Sequence, residues 1–143
     1  MEFRRGRLID HIRITVKSIK ASRQFYSAIL PVLGISFDRE GKDWFLADEL
    51  MVIQGKKSAG KIHLALQAKD QDTVRRFYDA ALAAGGKKKN PPGKGEAHPY
   101  YFSATVLDPD GNEIEMVCHG PVTRSVASVV IKPSAMALLK GLL

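Results

Sequence analysis

Shifted against itself by 52 residues, the sequence matches at His11/His63, Lys17/Lys69, Arg23/Arg75, Phe25/Phe77, Tyr26/Tyr78, Ala28/Ala80, Leu30/Leu82 and Gly34/Gly86. These are eight identities in an ungapped window of 24, where composition alone gives about one or two. A chain that repeats in this way folds as two copies of one supersecondary unit, so each motif in one copy has a counterpart to seek in the other. With 143 residues in all, neither copy buries enough apolar surface alone, and the two must share a core. We expect one domain over 1–143, with a first module at 8–55, a second at 61–119 and a C-terminal extension at 120–143.

The repeated unit reads strand, helix, then three short strands. Leu8 to Val16 alternates, with Ile12, Ile14 and Val16 on one face and His11, Arg13 and Thr15 on the other, the period of a half-buried strand. Ser18 suits an N-cap, and Ile19, Phe25, Tyr26, Ile29, Leu30 and Leu33 recur near helical spacing until Gly34. Strand candidates follow at Ile35 to Asp38, Trp44 to Ala47 and Leu50 to Gln54. In the second copy, Lys61 to Ala68 reads as the strand and Asp70 or Asp72 caps a helix that ends at Gly85-Gly86. A weak strand candidate covers Gly86 to Asn90, and Pro91-Pro92-Gly93-Lys94-Gly95 reads as a loop. Tyr100 to Leu107 and Asn112 to His119 are stronger strands, joined by a tight Asp108-Pro109-Asp110-Gly111 turn. The expected class is α+β, with paired βαβββ modules forming a curved mixed sheet. In the extension, Ser125 to Lys132 reads as a strand and Ser134 to Leu143 as a helix.

Period two also assigns faces. Where the apolar residues of each first strand meet the helix, His11 and His63 point the other way, into a shared cavity. On the last strand of each half, Gln54 lies opposite to Met51 and Ile53, and Glu115 opposite to Ile114, Met116 and Cys118. Two imidazoles, an amide oxygen and a carboxylate form a donor set for a divalent transition metal (Ni, Zn, Mn or Fe) with positions left open for substrate. The expected metal ligands are His11, Gln54, His63 and Glu115; the alternative is a cavity that has lost its metal. Arg13, Thr15 and Gln67 share the inner face and are expected to touch substrate. Glu115 is the first choice of catalytic base, with Glu113, His119, His98 and Tyr100 as alternatives, and His98 and Tyr100 also count among expected substrate contacts.

The formal charge of +7 raises the question of nucleic acid. The bases are dispersed, with Arg4, Arg5 and Arg7 near the start, Lys56, Lys57 and Lys61 in one turn, and Lys87, Lys88, Lys89 and Lys94 in another segment. No recognition-helix pattern or zinc-finger spacing accompanies them, so we expect no nucleic-acid partner and read the surplus as a solvated surface that also favours a small anionic substrate. The longest apolar stretch, Ala28 to Ile35, is far short of the ~20 residues that span a bilayer. One cysteine, Cys118, leaves no disulfide framework, and the charged start lacks an apolar signal region. We expect a cytoplasmic protein with no membrane partner.

Ile9-Asp10-His11-Ile12, the helix with Phe25-Tyr26, Ile62-His63-Leu64, and above all Asp108-Pro109-Asp110-Gly111-Asn112 with Ile114-Glu115, resemble the vicinal oxygen chelate superfamily of glyoxalases, bleomycin-resistance proteins and extradiol dioxygenases. The resemblance covers about residues 8 to 119. The His98-Pro99-Tyr100-Tyr101 segment and the ending Glu115-Met116-Val117-Cys118-His119 look most like a glyoxalase-like subgroup. It implies a homodimer and a metal at the positions matching His11, Gln54, His63 and Glu115. It also implies a metal-dependent lyase or isomerase acting on adjacent substrate oxygens through an enolate-type intermediate. Two other activities are compatible with it: an Fe(II) extradiol dioxygenase with a His11, His63, Glu115 triad, or a non-catalytic protein that sequesters a small molecule on Trp44 and the tyrosines.

Overall fold

The structure, a computed structural model, describes residues 3–5, 9, 11–56, 60–120 and 129–131. Among them, Ile12–Val16 (β2), Ile19–Ile29 (α1), Arg39–Glu40 (β3), Trp44–Ala47 (β4) and Leu50–Gln54 (β5) build the first module. His63–Gln67 (β6), Gln71–Ala83 (α2), Lys87–Lys94 (β7), Phe102–Leu107 (β8) and Glu113–Cys118 (β9) build the second. Two outlying strands, Phe3–Arg5 (β1) and Val129–Ile131 (β10), pair antiparallel. The strand expected in the extension is therefore β10, while its helix candidate lies outside the described residues. The β1 strand is a feature that the sequence reading did not anticipate.

The α+β class and the paired βαβββ modules are as expected, and the strand orders are the same in both copies. The first sheet runs β2-β5-β4-β3 and the second β6-β9-β8-β7. In each, the first strand lies parallel to the last, which the helical crossover requires, and the remaining pairs are antiparallel hairpins. Each module's first strand is thus an edge strand, paired on one side only within its sheet.

Local chemistry explains the boundaries. Ser18 Oγ accepts from Ala21 N to cap α1, and Asp70 Oδ1 accepts from Thr73 N to cap α2. After α1 a 3-10 turn at Leu30–Leu33 ends on Gly34, whose φ of 72° is the left-handed conformation that suits a glycine. The strand expected at Ile35 to Asp38 is displaced to Arg39–Glu40, because the chain leaving this turn first reaches β4 at Asp38, whose N donates to Leu46 O at 2.7 Å. The expected Pro91 to Gly95 loop is mostly strand. β7 runs through Pro91, Pro92 and Gly93 as an edge strand with register breaks at Lys88/Asn90 and Asn90/Gly93, and an edge with bulges is where a sheet tolerates proline.

One core serves both modules. Ile14, Val16, Phe25, Tyr26, Ile29 and Val52 of the first join Val74, Phe77, Ala104, Val106, Ile114 and Met116 of the second in a single buried cluster. Full burial of such side chains is worth about 1.5–3 kcal/mol each. The helices meet at Gly86, where a Cβ would stand 2.8 Å from both the Ala81 carbonyl oxygen and the Phe25 ring, so only glycine lets the end of α2 approach α1 this closely. The sheets are therefore joined through their helix-bearing faces, and they remain two sheets in the single chain. Leu46 and Met51, on the bare face of the first sheet, form a separate small cluster with Trp44.

Candidate functional site

On the bare face of the second sheet, β6 and β9 place His63 beside Glu113, with Glu115 one pleat further along. The imidazole bridges both carboxylates: Nδ1 lies 3.0 Å from Glu113 Oε2 and Nε2 lies 2.9 Å from Glu115 Oε1. An ionised carboxylate only accepts, so this placement favours a ring that donates from both nitrogens, the imidazolium form. The hydrogen bond to Glu113 raises His63 above the usual imidazole value; desolvation opposes it, and the hydrogen bond and attraction of Glu115 add to the rise. Glu113 is held below the usual carboxylate range by its ion pair with Lys89 and then by His63. Burial pushes Glu115 up, but hydrogen bonds from Tyr101, His63 and Ser103 outweigh it and keep its carboxyl below the ordinary value.

Tyr101 completes this row. Its hydroxyl donates to Glu115 Oε2 at 2.5 Å, and that bond, with some desolvation, pushes its pKa up to about 12. The sequence reading named Tyr100, which is 68% exposed in the turn before β8. Tyr101 shares its strand face with Ser103 and Thr105, against buried Phe102, Ala104 and Val106, so the alternation that singled out His63 also pointed to Tyr101. Tyr101 packs edge-on against His98 and His119. His98 Nδ1 accepts from Tyr100 N, and the two imidazoles meet Nε2 to Nδ1 at 2.9 Å. A neutral His98 therefore carries its proton on Nε2 and donates that N–H to His119 Nδ1, leaving Nε2 as the donor of a neutral His119.

The remaining expected residues are dispersed. His11 is exposed just before β2, Arg13 and Gln67 are exposed, and Thr15 is half-buried. Gln54 is the clear correction. Its amide oxygen accepts from Ile19 N at 2.9 Å, so it faces the α1 side, with Leu50 and Val52, and supports the start of that helix rather than pointing from the bare face. Leu50 and Val52 are the β5 residues in the core beneath α1, whereas the expectation had turned Met51 and Ile53 that way. A strand apolar on both faces has no alternation from which its phase can be read. Among the described residues, no group of three or more His, Cys, Asp or Glu side chains is placed to hold a metal ion.

The Asp108 to Asn112 turn holds the site in place. Asp108 Oδ1 accepts from Asp110 N and Asn112 N, and its Oδ2 accepts from Asn112 Nδ2 and, at 2.7 Å, from the Tyr26 hydroxyl of the other module. Asn112 Oδ1 in turn accepts from Ile62 N, next to His63, and Glu113 N donates to Ile62 O. One buried carboxylate thus ties α1 to the strand ends that carry His63, Glu113 and Glu115.

The profile of the Glyoxalase/Bleomycin resistance protein/Dioxygenase superfamily matches residues 8–116, spanning both modules. The chain belongs to that superfamily. Solved structures repeat its fold at low identity. A glyoxalase/bleomycin resistance protein from Albidiferax ferrireducens T118 is 22% identical with a TM-score of 0.67, over 78% of this chain and 98% of the other. A glyoxalase-related enzyme from Fulvimarina pelagi is 17% identical with a TM-score of 0.64, over 87% of this chain and 98% of the other. A lactoylglutathione lyase from Agrobacterium tumefaciens is 15% identical with a TM-score of 0.59, over 79% and 94%. No curated protein sequence matches the chain significantly. Among the described residues no helix is long and apolar enough to cross a membrane.

Proposed function

We propose that this superfamily member is a metal-dependent, glyoxalase-like lyase or isomerase acting on a small substrate with adjacent oxygens. The observation that carries this reading is the His63–Glu115 contact, an imidazole nitrogen and a carboxylate oxygen 2.9 Å apart on an open sheet face. The proton between them occupies the place a cation would take, and Glu113 on Nδ1 is the second carboxylate that orients metal-ligating histidines. The donor set therefore fits half of a metal site. A second copy of the chain supplies the other half, its β2 edge meeting the β6 edge so that His11 joins His63 and Glu115, which makes the functional unit a homodimer. When bound, the divalent ion supplies Lewis-acid stabilisation to negative charge developing on the substrate oxygens.

The protein's own groups do the rest. Glu115 shuttles the substrate proton as general base, Tyr101 hands Glu115 a hydrogen bond that steadies its charged form, and Lys89 with Glu113 keeps His63 in orientation. His98 and His119, packed on Tyr101, offer a donor to a small anionic substrate, and we assign Arg13, Thr15 and Gln67 to substrate contacts once the second copy is in place. We place this activity in the cytoplasm, where an unpaired buried cysteine such as Cys118 is at home. A second reading, an Fe(II) extradiol dioxygenase using His11, His63 and Glu115, is favoured by the engagement of Gln54 with the start of α1.

The test is titration of the full chain with Ni2+, Zn2+, Mn2+ and Fe2+, followed by assays of the loaded protein. The expected result is one ion per chain, lost in His63→Ala and Glu115→Ala, with metal-dependent isomerisation of 2-oxoaldehyde hemithioacetals. Oxygen uptake with a catechol would move the assignment to the dioxygenase. A protein that binds no ion at this pair would overturn both in favour of small-molecule sequestration.

A further inference from the structure

Part of the bare face of the first sheet is hidden from water, although neither helix lies on that side. Leu46 and Met51 pair across β4 and β5 and are only 1% and 7% exposed, while Phe45 and Val52, on the other side of the same strands, belong to the shared core. Arg39 pairs with Leu46 from β3, its guanidinium stands 5.9 Å from the Trp44 ring centroid, and its Nη1 is buried as well. An open sheet face leaves such groups in contact with solvent. Among the described residues, the apolar side chain that packs on Leu46 and Met51 is Trp44, itself half-buried. The cover is also uneven, because on β2 of the same face Arg13 is exposed and Thr15 half-buried. Since the burial is present within a single copy, whatever hides Leu46 and Met51 belongs to this same chain and lies over β4 and β5.

We propose that the end of the C-terminal extension, residues 134–143, docks on this apolar patch of β4 and β5. The tether is in the right place. β10 pairs with β1 so that Ile131 stands beside Phe3, and β1 leads through residues 6–11 into β2, the strand next to β5. The sequence has the right character. With 3.6 residues per turn, Ala135, Met136, Leu138, Leu139, Leu142 and Leu143 fall on one side of a helix and Lys140 and Gly141 on the other. Such a helix is about 15 Å long, enough to cross two strands about 4.8 Å apart, and so short a helix is marginal in water unless its apolar stripe is covered. Other segments outside the described residues are poorer candidates: 57–59 is Lys57-Ser58-Ala59, and 121–128 has Val122 and Val126 as its large apolar residues. The extension thus closes the bare face of the first module, while the corresponding face of the second keeps His63, Glu115 and Tyr101 for other partners. The docking does not depend on the proposed activity, so its test needs neither substrate nor metal.

Trp44 is the only tryptophan in the chain, so its fluorescence reads the patch directly. In the full chain, Leu138→Ser combined with Leu142→Ser is expected to shift Trp44 emission to the red and to raise its acrylamide quenching constant about threefold, because the docked stripe is lost and the patch opens. Lys140→Ser, on the opposite side of the helix, is expected to change neither. Unchanged emission and quenching in the double variant overturn the proposal. A second copy is the rival occupant, and it would make Trp44 quenching in the unsubstituted chain rise on dilution over about a hundredfold range of concentration; that result also overturns the proposal, which expects no dependence. Hydrogen exchange of the unsubstituted chain guards against a variant that fails to fold. The amides of 134–143 are expected to exchange at least about tenfold more slowly than those of a free peptide of the same sequence, and exchange at the free-peptide rate overturns the docking whatever the variants do.

Discussion

The Tyr26–Asp108 hydrogen bond is the most direct test of how the two modules are fastened. Tyr26→Phe removes one hydroxyl and leaves the ring in place, so the apolar contacts with Phe25 and Phe45 survive. Both partners are almost fully buried, at 0% and 2% exposure, so no water replaces the lost donor. Burial, and then Asp108, raises the Tyr26 pKa well above the ordinary phenol value, which keeps the hydroxyl a donor across the working range. A hydrogen bond to a charged group is worth about 1.5–3 kcal/mol. Asp108 keeps three other donors, which places the expected cost near the middle, about 2 kcal/mol. With a urea m-value of ~2 kcal/mol/M, the unfolding midpoint should fall by ~1 M at unchanged slope. Its repeat counterpart provides the control: Tyr78 is only half-buried and its hydroxyl makes no hydrogen bond among the described residues, so Tyr78→Phe should shift the midpoint by less than a quarter as much. Equal effects at the two positions, or a Tyr26→Phe cost under about 0.5 kcal/mol, would refute the assignment of Asp108 as the buried tie between modules.

Two further perturbations separate local roles. Gln54→Ala should cost about 1 kcal/mol, the scale of a lost helix-start acceptor, seen as a lower thermal midpoint, while Co2+ affinity stays unchanged; a loss of Co2+ binding would return Gln54 to the ligand set. Asp70→Ala should destabilise at neutral pH. Asp70 has its folded-state pKa lowered by the Thr73 hydroxyl and backbone bonds, so its contribution is present above the ordinary carboxylate value and fades as pH falls through the lowered one. Urea midpoints of the two proteins should therefore differ at pH 7 and converge toward pH 2.

The parts of the fold that were legible in the sequence are those where one physical signal acted alone. The offset of 52 gave two equivalent modules, Ser18 and Asp70 gave the helix starts, and the alternation of Leu64 and Leu66 against His63 gave the face that carries Glu115's partner. Legibility failed where two signals competed or none was present. Pro91 and Pro92 marked a break, yet at a sheet edge the missing amide donors cost nothing to the partner strand, so β7 continues through them. In β5, Leu50-Met51-Val52-Ile53 is apolar at every position, so its phase is invisible to a period-two reading and becomes fixed only by pairing with β2. Tyr101 shows the opposite case: its alternation with buried Phe102 is legible, but two adjacent tyrosines offer the same chemistry, and only the strand phase separates Tyr101 from exposed Tyr100.

The same misphased strand has a chemical consequence. Aligning the module ends on Ile53-Gln54 and Ile114-Glu115 makes the repeat look intact, with an amide replacing a carboxylate. Aligning them by register puts Cys118 opposite Gln54 and Glu115 opposite Met51. The sheet obeys the second alignment, because hydrogen-bond register decides which side chains share a pleat, and short sequence likeness does not. A duplicated site can then diverge by a single residue while its scaffold stays symmetric. Here one module holds the charged cluster of His63, Glu113, Glu115 and Tyr101, and the other packs Met51, Leu46 and Trp44 in the corresponding place. On the proposed function this division assigns proton handling to the second module, and it predicts that Glu115→Gln or Tyr101→Phe lowers kcat for any substrate turned over, while Met51→Leu, which keeps the apolar cluster, leaves kcat within about twofold.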